Sequence, residues 1–282
     1  MRVHLAGLIN AKYPVAVSDK LKATGSHLMP GSGEAWNLCA TALVTERCAN
    51  SLVTYAYADG IDTWHNVWRE VPSNVIVDSG AFTAHTQGTT FTVEGYAAFI
   101  DEFGARYGSD VADANFMSLD VIGDTKATWR NFDHLTRLGK SVMPVLTLGC
   151  SLADVDRAAE HGYVACGGLV GGGRADLMPW LDGVFGRFRK LGKLPKVHLL
   201  GITKQWALER YPAYSCDSST WLSPLRFGRT LLKGIDRLPR HKDGVSESAI
   251  VVEALRAEVR KYRELENQTT ALWRRRGIEW QS

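Results

Sequence analysis

Apolar, β-branched runs recur along the chain, separated by longer segments of helical period. Runs at residues 3–8, 52–57, 75–78, 115–121, 142–148, 163–169, 196–202 and 213–217 predict eight strands. Most are continuously apolar rather than alternating, the pattern of strands covered on both faces in a parallel sheet. Between them, helices are predicted over 34–50, 93–107, 124–138, 151–161, 175–191 and 204–211. The second of these carries Ala97, Ile100 and Phe103 at helical spacing, with Thr92 as N-cap. Ser151 and Asp154 give the fourth a capping-box start. Residues 9–33 form a long first connection with no assigned structure.

Strands alternating with helices over residues 1–217 predict an α/β fold, a (β/α)8 TIM-like barrel, with an open doubly wound sheet as the alternative. The count of eight, and polar residues at strand C-termini, favour the barrel. The short link between the second and third strands predicts an irregular one. After Asp217 the pattern changes. Residues 218–242 carry Arg226, Arg229, Lys233, Arg237, Arg240 and Lys242 against Asp236 alone, which leaves +5. A long helix is predicted over 246–276, so 218–282 reads as a basic segment and a C-terminal helix packed on the barrel. The arginines ending that helix suit its dipole and need no ligand to explain them.

Composition narrows the classes. With 45% hydrophobic and 22% charged residues, the 282-residue chain can bury a core without staples. The net charge of +3 excludes a polycation and an acidic disordered tail, but not a local basic patch. Five cysteines at wide spacing (Cys39, Cys48, Cys150, Cys166 and Cys216) contain no Cys-x-x-Cys pair, so they read as thiols in a reducing cytosol. The N-terminal stretch is a poor signal peptide, broken by Asn10, Lys12 and Pro14, and no apolar run reaches the ~18 residues of a membrane span. These features describe a cytoplasmic protein with no membrane partner.

A barrel places its chemistry where strands end at their C-termini. Asp78, Asp120 and Asp217 end the third, fourth and eighth strands. Any one alone reads as a turn or cap residue. Three together suit two kinds of chemistry. A pair of carboxylates can divide a displacement at an anomeric carbon between nucleophile and proton carrier. Alternatively, such carboxylates can hold Mg²⁺, as in a metal-dependent hydrolase. The glycine cluster after the sixth strand, CGGLVGGGR, opens the backbone to a flat ligand or a phosphate. It lacks the Gly-Lys-Ser/Thr of a P-loop, and as an isolated feature it also reads as a tight loop. His85 and Trp221 lie near these motifs, as an auxiliary proton carrier and a stacking ring, or as an ordinary loop histidine and a core tryptophan.

The segments VDSGAF, SLD, GGLVGGG, HLLGIT and CDSS, in that order, resemble the tRNA-guanine transglycosylase superfamily over residues 75–220. The resemblance implies that Asp217 is the nucleophile attacking C1′ of the target nucleoside. Asp78 becomes the acid/base group that assists departure of guanine and deprotonates the incoming base. Asp120 reads the hydrogen-bonding edge of a guanine-like base, beside Ser79 and Gly80. Gly167, Gly168 and Leu169 supply backbone along that edge, and Phe82 takes the place of a stacking aromatic. Two departures matter. Thr147 stands where the tRNA enzymes commonly place a base-reading Gln. The zinc-binding cysteine cluster downstream of the nucleophile is absent, because no cysteine follows Cys216.

The resemblance is therefore greater to the zinc-less branch, the phage and bacterial enzymes that exchange guanine in DNA for a 7-deazaguanine base such as preQ0. That branch implies no metal and no other cofactor. Its partners are DNA presenting a flipped or single-stranded guanine, and the free base. The alternatives are a tRNA-guanine transglycosylase acting on tRNA and a non-catalytic nucleic-acid-binding subunit of the same superfamily. The basic residues of 218–242 are expected to hold phosphates beside Asp217.

Overall fold

The computed structural model describes residues 1–7, 32–227, 229–230, 236–237 and 247–280. Its strands are β1 (Arg2–Ala6), β2 (Ser51–Thr54), β3 (Asn74–Asp78), β4 (Asp113–Met117), β5 (Val142–Met143), β6 (Val145–Thr147), β7 (Tyr163–Gly167), β8 (Lys196–Leu199) and β9 (Ser215–Ser218). They form one sheet in the order β5-β4-β3-β2-β1-β9-β8-β7-β6, with every pairing parallel. Its two ends, β5 and β6, are consecutive in the chain and separated only by Pro144. Proline has no N–H to give a ladder, so it splits one strand into two. β5 pairs with β4, β6 pairs with β7, and the Pro144 carbonyl accepts from Ala165 N–H at 2.9 Å. The expected eight-stranded barrel is present, nearly closed, with its fifth strand broken.

The helices are α1 (Ser32–Thr45), α2 (Ile61–Trp68), α3 (Ala81–Gln87), α4 (Val93–Tyr107), α5 (Thr125–Arg137), α6 (Leu152–Ala158), α7 (Arg174–Lys190), α8 (Gln205–Arg210), α9 (Ser223–Phe227) and α10 (Glu247–Arg275). Thr92 caps α4 through Gly95 N–H, and Ser151 and Asp154 close the capping box of α6. The helix predicted over 34–50 stops at Thr45, because Arg47 turns left-handed (φ 48°) and Cys48 N–H reaches back to the Leu43 carbonyl. Strand β2 is shorter than its apolar run. Tyr55–Gly60 curls into a 3₁₀ turn that leads into α2, so the link judged short holds a helix after all. Helix α3 was also missed from the pattern.

Alternate strand residues face opposite sides of the sheet. One side packs under the helices in the main core, with Val3, Leu5, Val75, Val77, Leu146 and Leu199 among its members. The other side is the barrel interior. There Ala6, Leu52, Ile76, Met117, Met143, Val145 and Ala165 form a separate apolar cluster. The sector where β8, β9 and β1 meet is polar instead, with His198, Ser215, Asp217 and His4 buried. Helix α10 joins the main core through Val251, Leu255, Val259 and Tyr262, and Trp273 Nε1 donates to the Leu208 carbonyl at 2.8 Å. Trp221 is fully buried, its indole N–H donating to the Ala6 carbonyl at 2.9 Å, so it is a core residue. Among the described residues no helix is long and apolar enough to cross a membrane.

Candidate active site

Asp78 is the last residue of β3, level with Thr54 of β2. The chain turns sharply behind it at Gly80 (φ +79°). A Cβ on Gly80 would lie 2.7 Å from Ala56 Cβ, so only glycine fits there. That turn aims Gly80 N–H at Asp78 Oδ2, 3.1 Å away. Ser79 is buried, and its hydroxyl donates to Asp120 Oδ1 at 2.8 Å, tying the turn after Asp78 to Asp120. Behind both, Tyr96 of α4 is fully buried and donates to the Met117 carbonyl at 2.8 Å. Asn131 of α5 donates to the Leu119 carbonyl at 2.9 Å. These two bonds fix the segment that carries Asp120.

Burial pushes the Asp78 carboxyl up, and the nearby Asp120 carboxylate adds to the rise. Gly80 N–H and the Thr54 hydroxyl oppose it, Asp217 adds a further push, and the result is a carboxyl at about 7. Burial also raises Asp120, opposed by its bond from Ser79. A carboxyl near neutrality can donate and accept a proton within one catalytic cycle.

Asp217 lies on β9, level with His4 of β1, with β1 and β2 between β9 and β3. It is 7% exposed. Its Oδ1 accepts from Gly201 N–H at 2.6 Å and faces His198 Nε2 at 3.2 Å. Gly201 sits two residues beyond β8 with φ +68°, and a Cβ there would meet Val170 Cγ2 at 2.4 Å. Glycine at this turn is what lets the backbone N–H point at the carboxylate.

The remaining expected site residues are placed unevenly. Phe82 stands on the first turn of α3, 60% exposed, beside the mouth. Ile122, Leu148, Leu152 and Val170 are also exposed, and all follow strand C-termini on this same end of the barrel. Thr147 ends β6, and its hydroxyl pairs with Thr125 at 3.0 Å, so it is tied to α5. Gly167 is buried, Gly168 is exposed with φ +78°, and Leu169 turns its side chain into the core, leaving only backbone for a ligand. Of the basic segment, Arg226, Arg229 and Arg237 are described in their backbone only. Lys233, Arg240 and Lys242 lie outside the described residues. His85 is exposed near the end of α3.

Sequence reasoning missed His198, His4, Ser215, Tyr163 and Thr54. A signal was present for the first two, since Val-His-Leu occurs at residues 3–5 and again at 197–199. A histidine repeated inside apolar strands is out of place unless it has a partner. Among the described residues, no three His, Cys, Asp or Glu side chains form a group that could hold a metal ion.

No family model and no curated protein matches the chain. One solved structure, from Aquifex aeolicus VF5, is similar to it with a TM-score of 0.48 and 9% identity, covering 94% of this chain and 92% of that one.

Proposed function

We propose that the chain is a base-exchanging transglycosylase that replaces guanine in DNA with a 7-deazaguanine base such as preQ0. The observation that carries this reading is the pair of unlike carboxyls at one barrel mouth. Asp217 has one oxygen anchored by two donors, while Asp78 sits near neutrality. One carboxyl held at Oδ1 and another buried with a raised pKa suit a nucleophile and a proton carrier. The ordered motifs from VDSGAF to CDSS make the superfamily the best source for that chemistry.

In the proposed reaction Asp217 attacks C1′ and guanine leaves, aided by a proton from Asp78. A 7-deazaguanine then enters, Asp78 takes its N9 proton, and N9 displaces Asp217. Two inversions give net retention. Asp120, oriented by Ser79, accepts from the N1–H and amino group of the base. The exposed Phe82 ring stacks on it. The target guanine must leave its helix, at a cost of a few kcal/mol. The choice of DNA over tRNA rests on the missing cysteine cluster after Cys216.

The test is nucleoside analysis of DNA incubated with the protein and preQ0. Deazaguanine nucleosides are expected with the wild type, and Asp217→Asn is expected to lower their yield by about 10³-fold or more. Incorporation into tRNA but not DNA would overturn the choice of substrate. Activity abolished by EDTA would favour the hydrolase chemistry instead.

A further inference from the structure

The barrel interior holds a chain of polar side chains that the displacement steps leave unused. β8 and β1 flank β9 on either side. His198 is level with Ser215 and His4 with Asp217, so all four share one face of the sheet. Tyr163 Oη lies 2.6 Å from Ser215 Oγ, which lies 2.6 Å from His198 Nδ1. His198 Nε2 then faces Asp217 Oδ1 at 3.2 Å.

Donor counting gives this chain a direction. An ionised carboxylate only accepts, so the hydrogen must sit on His198 Nε2. In a neutral imidazole Nδ1 then accepts, and the Ser215 hydroxyl must donate to it. That uses the only proton Ser215 has, so Tyr163 donates to Ser215. The 3.2 Å separation is longer than the 2.7–2.9 Å typical of a charged N–H and a carboxylate. His4 packs edge-on against His198 at 5.9 Å, and its Nδ1 donates to the Ser51 carbonyl at 3.3 Å. Burial, the largest cause, depresses His4 to about 3, so the neighbouring ring adds no cation.

Both donors to Asp217, Gly201 N–H and His198 Nε2–H, fall on Oδ1. Among the described residues Oδ2 accepts no hydrogen bond. We infer that His198 is a positioning residue that holds Oδ1 and leaves Oδ2 as the attacking oxygen, an inference that rests on the transglycosylase reading. In the first step the Oδ2–C1′ bond forms as C1′–N9 breaks, and the electron pair leaves with the base, which takes the Asp78 proton. Oδ1 becomes the ester carbonyl. In the second step C1′–Oδ2 breaks and the electron pair returns to the carboxylate, while N9 of the incoming base bonds C1′ and its proton passes to Asp78. The returning charge spreads onto Oδ1 beneath two waiting donors, so His198 assists the second step more than the first.

Two measurements test this. In the full-length ¹⁵N-labelled protein near pH 7, His198 is expected to show the neutral Nε2–H tautomer, and Asp217→Asn is expected to move its Nε2 resonance. An Nδ1–H tautomer or an imidazolium would overturn the inference whatever the substrate proves to be. In exchange assays His198→Ala is expected to lower kcat about 10–100-fold. KM for the base should stay within about twofold, with glycosyl-enzyme accumulating in intact-protein mass spectra. His198→Gln, whose amide N–H can reach Oδ1, should recover most of that loss. Wild-type kcat in His198→Ala, or no recovery by Gln, would overturn the positioning role alone. No exchange by the wild type, with the expected tautomer present, would overturn the transglycosylase reading and leave the direction of the hydrogen-bond chain supported.

Discussion

Asp78 shows how much of a residue's chemistry lies in its neighbours. Folded, it keeps its proton up to about pH 7; unfolded, it releases it near the ordinary ~3.9. Folding therefore takes up a proton between those values, and stability falls as pH rises through that window. Asp78→Asn is expected to match the wild type in thermal unfolding at pH 4 and to be more stable at pH 8. At roughly 1.4 kcal/mol per unit the gap is a few kcal/mol at most. His4 works in the opposite sense. Its depressed value means that acidification below its ordinary ~6.5 costs stability. A further expectation concerns Asp120, whose charge helps raise Asp78. Asp120→Asn should move the descending limb of glycosyl-enzyme formation to lower pH, read by single-turnover rates across pH 5–9. An unmoved limb would show that Asp78 is not the proton donor. The three aspartates were legible in the sequence because strand ends in a barrel are where carboxylates accumulate. The partners of Asp217 were not, because a histidine in an apolar run looks the same whether it touches a carboxylate or only a backbone carbonyl. Strand register, which sequence does not encode locally, decides between the two.

At the scale of elements, continuous apolar runs located every strand of the barrel, but not where strands give way to turns. Tyr55 and Tyr57 extend the second run in sequence, yet they belong to a 3₁₀ turn, with Tyr55 packed against Phe91, Tyr96 and Phe99. Tertiary aromatic contacts overrode strand propensity there. That turn also brings Ala56 beneath Gly80. Gly80→Ala is expected to destabilise the fold by about 1–3 kcal/mol through its positive φ and the contact with Ala56. It should also reduce exchange, since Gly80 N–H would leave Asp78. Adding Ala56→Gly relieves the contact but not the backbone strain, so unfolding midpoints should recover only in part.

Across the whole molecule, α10 returns to the start of the chain. Glu46, buried just after α1, accepts from Arg256 and Arg260 at 2.8 Å each, and its carbonyl accepts from Arg263. Burial works to raise the Glu46 carboxyl, and the bond from Arg256 with the charge of Arg260 outweighs it, holding the group below its ordinary range. Glu46→Gln is expected to destabilise the fold by about 1–3 kcal/mol, because the arginines are partly solvated and lose less than sealed partners would. Denaturant midpoints at fixed salt would check this. The +5 of residues 218–242 leads to a different expectation. DNA affinity should fall steeply between 50 and 200 mM salt, and charge-reversing Arg226 and Arg229 should flatten that slope. Salt-independent binding would remove the basic segment from the interface.

The break at Pro144 makes the barrel unequal around its circumference. Between β5 and β6 the ring is joined by a peptide rather than by a ladder of paired amides. On the far side, β1 is clasped by α10, where the Glu266 carboxylate takes the Val3 N–H. The ring is thus expected to yield most at this seam and least where α10 clasps β1. Asp120 and Thr147 stand nearer the seam, Asp217 and its histidine nearer the clasp. Amide hydrogen exchange should accordingly be slowest along β8, β9 and β1 and fastest at the seam. Under the proposed exchange, a barrel built this way would yield to the shape of an arriving base while the oxygen meant to bond the sugar stays still.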